Sequence, residues 1–402
     1  MPAYFQWFHL YHQKTLVVKI AILTDGIYPY VIGGMQKHSF YLSKFLAQQG
    51  VSVTLVHCVP FTEKIPSEEE VKEAMELPEE VDFESICLKF PKADWMPGHY
   101  LKESFAYSTA IFRSIKGRLD EFDFIYAKGF AAWKLLDAKK KGLACPPISV
   151  KFHGYEMFQP APSFKVKLEH YMLRGPVKFN NQTADWVFSY GGRISPIIKS
   201  IGVDEAKIIE IPTGIESNWC IDKPLSLSGT RSILFIGRYE RRKGVEELNT
   251  VLKDLLETHK FDMHFIGPIP PSKKIKSDRI TYHGKVMQKA AIQEIMKSCD
   301  VLVTPSHSEG MPNVIMEGMA RGMAVIATDV GAVGLQVDER NGWLINPADI
   351  AHLKQAMVDA IELDHKKLLE KRQFSVDKIN SQFTWEAVAK QTEEELTRII
   401  NQ

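Results

Sequence analysis

The feature that most restricts the fold is a rhythm of short apolar runs, each closed by glycine or a polar turn and separated by amphipathic stretches. VKIAILTDG (18–26) reads as a buried strand ending in turn residues. After YPYVIGG, the run MQKHSFYLSKFLAQQG sets Met35, His38, Leu42, Phe45 and Leu46 at helical spacing, and Gly50 stops it. VSVTLVHC is the next strand, and strand–helix–strand demands parallel pairing. FDFIYAKG, PISVKFHG and DWVFSYGG extend the series. The rhythm restarts with RSILFIGR, FDMHFIG, RITYHG, CDVLVTPS and MAVIATD, with helical runs between them. The chain is therefore predicted to be α/β, with two Rossmann-like, doubly wound parallel domains facing a central cleft where such sheets bind ligands. The expected division is 1–215 and 216–383, with a polar linker at 224–230 and a last helix, 384–402, packing back on the first domain. Residues 1–18 are read as an aromatic extension able to add a strand, and the acidic stretch 63–84 as a solvated excursion.

Bulk properties exclude several classes. At 402 residues the chain exceeds one typical core, and 45% hydrophobic with 25% charged residues is ordinary for a globular protein. Fifty basic residues balance 49 acidic ones, so no global field favours nucleic acid as a partner. Five scattered cysteines without a C-x-x-C pair fit free thiols in a reducing cytosol, so a cytoplasmic location is expected. No apolar run reaches the roughly 20 residues needed to span a bilayer, and no cleavage site follows the aromatic opening.

Chemistry concentrates in HSEGMPNVIMEG (307–318). It follows the strand VLVTPS, and Pro312 suits the first turn of a helix running to Gly322. The free amides from Met311 to Val314 then form an anion site. Glu309 lies before that terminus and Glu317 inside the helix, spaced to accept hydroxyls of a sugar and of a ribose. FIGRYERRKG places Arg238 directly after a strand and Lys243 just before a helix. A departing diphosphate needs its charge stabilised, often by a metal. No D-x-D is present; the nearest approximation, Glu121-Phe-Asp123, lies in a strand-like run. The expectation is no metal and no cofactor, with Arg238 and Lys243 in that role and Arg241 and Arg242 solvated.

The pattern strand-G-R-x4-K-G, followed about 65 residues later by E-G-x-P-N-V-x-x-E-G, resembles the retaining glycosyltransferases of family 4, which have the GT-B fold. The resemblance implies that Arg238 and Lys243 contact the donor's diphosphate, Glu309 the donor sugar and Glu317 the ribose. Gly310 and the amides of Met311, Asn313 and Val314 fall where that family binds donor, and HGKV, ending at Val286, where it touches the base through main-chain groups. Gly33 and Gly34 match its glycine loop, and His153 its histidine against the transferred sugar. PTGIE (212–216) departs from it, with Thr213 where the family often has Asn. The implied reaction moves a hexosyl group from a nucleoside-diphosphate sugar, UDP-linked first and GDP-linked next, to a saccharide or lipid-linked acceptor of cell-surface polysaccharide or glycolipid synthesis. The basic, apolar segment 162–179 is a candidate contact with an anionic membrane at its inner face; the alternative is an ordinary amphipathic helix. A catalytically silent nucleotide-sugar-binding protein is the rival reading. A nicotinamide dehydrogenase is excluded for want of a G-x-G-x-x-G fingerprint.

Overall fold

The computed structural model describes residues 17–92, 98–159, 164–226 and 229–402. Residues 1–16 of the aromatic extension and parts of 162–179 and 224–230 lie outside them. The first sheet contains β1 (Lys19–Leu23), β2 (Ser52–Val59), β3 (Phe83–Lys89), β4 (Phe124–Lys128), β5 (Ile148–Lys151), β6 (Trp186–Ser189) and β7 (Ile208–Glu210), in the order β3-β2-β1-β4-β5-β6-β7. The second contains β8 (Arg231–Ile236), β9 (Phe261–Ile266), β10 (Ile280–Gly284), β11 (Val301–Thr304), β12 (Ala324–Thr328) and β13 (Gly342–Ile345), in the order β10-β9-β8-β11-β12-β13. All pairings are parallel. Helices cover both faces of each sheet, and this is why the strands read as continuous apolar runs rather than alternating ones.

Each sheet reverses its winding once, between β1 and β4 and between β8 and β11. Loops leaving neighbouring strands at such a point diverge and open a crevice. The glycine loop follows β1, the Arg238–Lys243 turn follows β8, and the Glu309 loop follows β11.

The acidic stretch is more ordered than its composition suggests. Ser67 and Glu70 form a reciprocal capping box (Glu70 N–H to Ser67 Oγ, 3.2 Å; Ser67 N–H to Glu70 Oε2, 2.7 Å). Val71 and Met75, one turn apart, bury the inner face of the helix Glu68–Met75, and the edge strand β3 begins at Phe83. The strands β7 and β13 are too short, at three and four residues, to show a periodicity.

The last helix, Trp385–Ile400, shares an apolar core with the helix Gly34–Gln48 through Trp385, Val388, Ala389 and Leu396. The chain crosses to it on main-chain bonds from Ile215 N–H to Phe383 O (2.7 Å) and from Trp385 N–H to Ile215 O (3.2 Å). Gly214 permits the crossing, because a Cβ there would lie 2.7 Å from the Trp385 ring. Among the described residues no helix is long and apolar enough to cross a membrane.

Candidate active site

A cavity of about 290 Å³ opens where the two sheets face each other. Gly34, Met35, His153, Tyr190 and Thr213 wall it from the first half of the chain, and Ile236, Lys243 and residues 309–314 from the second. Two helices, Gly34–Gln48 and Asn313–Ala320, begin at this wall. Their first N–H groups lack intrahelical partners, so both ends present positive potential to the cavity. Pro312 takes the cap position immediately before the second helix.

Lys243 and Glu309, 66 residues apart, meet at 2.6 Å (Nζ to Oε1), and Arg242 Nη1 approaches the other carboxylate oxygen at 3.5 Å. Adjacency of β8 and β11 explains the meeting. Arg242 also holds Glu240 at 3.0 Å, and Arg241 pairs with Glu247 at 2.7 Å. Both arginines keep much of their side chains in solvent, each with a counterion close by in sequence.

Arg238 stands apart. Its guanidinium is 70% exposed, bonds Glu240 Oε1 at 3.0 Å and does not line the cavity. The carboxylate two residues on in the same turn is its nearest partner. Val286 packs half-buried on the core of the second sheet rather than in the cavity. Gly33 is extended (φ 170°) and likewise outside the wall, whereas Gly34 lines it with open space where a Cβ would lie. Gly310 has a packing reason beyond any donor contact, since a Cβ there would lie 1.9 Å from the His153 carbonyl oxygen. The two halves of the chain touch at that glycine.

Glu317 faces a smaller neighbouring space with Lys37, His38, Tyr41, Glu216 and Trp385. Asn313 lines both spaces, so they share a wall. Burial raises the Glu317 carboxyl above its ordinary value, partly offset by Lys37 and Lys289.

The wall from the first half holds residues that sequence reasoning missed. Thr213, read as a departure, is buried in the cavity wall and gives its N–H to Met311 Sδ at 3.4 Å. Behind His153, Lys128 and Lys151 stand opposite each other in the β4–β5 register, each 1% exposed. Lys128 Nζ lies 2.8 Å from His38 Nδ1, and Lys151 Nζ donates to Ile211 O at 2.9 Å while lying 4.2 Å from the centre of the Tyr190 ring. Burial lowers Lys128 well below the usual lysine value and brings Lys151 to about 7. Burial, with both lysines adding to it, also holds His38 and His153 well below 6.5. The sequence signal was a lysine closing each of two adjacent apolar strands, YAK and SVK.

Similarity to known proteins follows the same division. The family description "Glycosyltransferase Family 4" matches residues 32–219, and "Glycosyl transferases group 1" matches 230–362. A relative from Campylobacter jejuni, N,N'-diacetylbacillosaminyl-diphospho-undecaprenol alpha-1,3-N-acetylgalactosaminyltransferase, is 24% identical over 61% of this chain and 67% of its own. The stretches matched in two other curated relatives cover 32% and 44% of those proteins. Among solved structures, sucrose-phosphate synthase from Thermosynechococcus elongatus superposes with a TM-score of 0.73 at 18% identity, over 96% of this chain and 99% of that one. Anabaena HepE in complex with UDP and glucose gives 0.64 at 17%, over 95% and 100%.

Proposed function

The chain belongs to the family 4-type glycosyltransferases with a two-domain GT-B fold, and on that premise we propose that it moves a hexosyl group from a nucleoside-diphosphate sugar to a saccharide or lipid-linked acceptor. The observation that carries this reading is the 2.6 Å meeting of Lys243 with Glu309 in a cavity walled by both halves of the chain. Beside it are two helix starts and a histidine.

In this reading the donor's diphosphate takes Lys243 from Glu309 and lies on the amides of Met311, Asn313 and Val314. Each charged hydrogen bond contributes about 1.5–3 kcal/mol, more than the roughly 0.3–1 kcal/mol of one helix terminus. Lys243 therefore dominates. Arg238 joins from the rim, and releasing it from Glu240 costs little, because an exposed pair is worth about 0–1 kcal/mol. Glu309, once freed, accepts hydroxyls of the sugar, and His153 contacts the same sugar. Glu317 takes the ribose, and the main chain at Val286 the base. The C1–phosphate bond breaks as the acceptor oxygen approaches C1 from the same face. The acceptor's proton passes to the departing phosphate oxygen, and the anomeric configuration is retained. The protein supplies position and charge, so this route calls on neither a metal ion nor a carboxylate nucleophile.

A UDP-sugar is the first expectation, supported by the UDP and glucose held by the Anabaena neighbour, with a GDP-sugar next. The Campylobacter relative's name supports a lipid-diphosphate acceptor. So does the helix Phe164–Thr183, which exposes Leu168, Tyr171 and Met172 at one-turn spacing beside the exposed Lys167, Arg174 and Lys178. In this reading the enzyme serves cell-surface polysaccharide or glycolipid synthesis at the cytoplasmic face of a membrane. Incubation with UDP- and GDP-hexoses should release nucleotide only when a saccharide or lipid-diphosphate acceptor is added, with retained configuration in the product. Donor binding without turnover would favour the silent binding protein, and no binding of either donor would end the reading.

A further inference from the structure

Tyr190 directly follows β6, is 3% exposed, and its hydroxyl lies 2.5 Å from His153 Nδ1. The other ring nitrogen, Nε2, is shielded from solvent and has no hydrogen-bond partner among the described residues, although His153 lines the cavity. Two proton placements satisfy the 2.5 Å contact. In one, Nδ1–H donates to the phenol oxygen, leaving the buried phenol proton without an acceptor and a bare lone pair on Nε2. In the other, the phenol donates to Nδ1, and the ring's own proton stands on Nε2.

The surroundings decide between them. Burial keeps the phenol protonated, so its O–H calls for an acceptor, and His153 Nδ1 lies within reach at 2.5 Å. Burial keeps the imidazole neutral, so it has one acceptor nitrogen and one donor. A buried O–H left without an acceptor is the costlier arrangement.

We propose that Tyr190 is a positioning residue that fixes His153 as the Nε2–H tautomer, so that His153 donates a hydrogen bond to an oxygen of the transferred sugar and does not accept the acceptor's proton. The assignment rests on the reading of the cavity as the donor-sugar site for its ligand, but not for the tautomer. It leaves the departing phosphate as the acceptor of the proton, since the imidazole lone pair is occupied by the phenol. His38 repeats the arrangement behind it, with Lys128 at its Nδ1 and its Nε2 also unpartnered.

The test is two-bond ¹H–¹⁵N correlation on histidine-labelled protein, with His153→Gln to assign the ring. The wild type should show an unprotonated Nδ1 and a protonated Nε2, and Tyr190→Phe, which keeps the ring, should show a mixture of tautomers. A proton on Nδ1 in the wild type overturns the proposal whether or not the variant folds, and so does an unchanged spectrum in Tyr190→Phe. In kinetics, Tyr190→Phe should lower kcat about tenfold with little change in donor KM, a loss of about 1.4 kcal/mol in the transition state. A rise in KM alone would overturn the positioning role. If the spectra behave as expected while His153→Gln transfers sugar at the wild-type rate, the reading of His153 as a sugar contact fails and the tautomer assignment stands.

Discussion

The two walls of the cavity handle charge in opposite ways. On the β8–β11 side, the basic residues Arg238, Arg242 and Lys243 are chained to Glu240 and Glu309, in pairs that run from the exposed Arg238–Glu240 to the largely buried Lys243–Glu309. On the β4–β5 side, Lys128 and Lys151 are buried, and neither makes an ion pair among the described residues. The exposed arginines can exchange a carboxylate for a diphosphate at small cost, and Lys243 can exchange Glu309 only for another anion, whereas burial pushes the lysines of the other wall toward the neutral amine, held as fixed hydrogen-bond donors. One wall is built to trade partners, the other to hold geometry.

The comparison breaks most sharply at Trp385, which joins the last helix to the first wall. Its ring packs on His38 and Tyr41 at centroid distances of 5.1 and 5.6 Å. Trp385→Ala should cost about 3–5 kcal/mol, read from chemical denaturation. A loss below about 1 kcal/mol would detach residues 384–402 from that wall. Next in size is the proton inventory of Lys151. The unfolded chain keeps this amine protonated up to about 10.5, and the folded protein releases it near 7. Between those values the unfolded state binds more protons, so stability rises with pH by up to about 1.4 kcal/mol per pH unit. Lys151→Met should flatten that rise between pH 7 and 9. A wild type whose denaturation midpoint does not move over this window would refute the neutral-lysine account of the first wall.

On the opposite wall, Arg238→Ala should cost about tenfold in kcat/KM, near 1.4 kcal/mol, less than removal of Lys243, since Arg238 reaches the site only by leaving Glu240. Equal losses at the two positions would mean that both cations already sit on the substrate path. The smallest effect should come from Leu168→Asp with Tyr171→Asp, which should reduce flotation with anionic liposomes and leave transfer to a soluble acceptor unchanged. Unaltered flotation would return this helix to an ordinary amphipathic role.

The trading wall was the legible one. Lys243, Glu309, Asn313 and Val314 are written in spaced motifs, because an anion site at a helix start needs particular residues at particular offsets. Both doubly wound sheets were equally readable from apolar runs ending in turns. The holding wall escaped because its function depends on burial and register. Lys128 and Lys151 look like solvated strand ends until β4 and β5 are laid side by side, and Tyr190 looks like one more aromatic. Arg238 misled in the other direction, since its place directly after a strand says nothing of the counterion two residues on. The capping box at Ser67 was present in the sequence and hidden by the acidity around it.

The central claim is that the space between Lys243, Glu309 and His153 receives the diphosphate and sugar of a donor. Calorimetric titration of the wild type and of Lys243→Met with UDP- and GDP-hexoses tests it most directly. Binding of one donor, weakened about 10- to 150-fold in the variant as the loss of about 1.5–3 kcal/mol predicts, is the expected result. Equal affinity in the two proteins, or no heat with either donor, would contradict it.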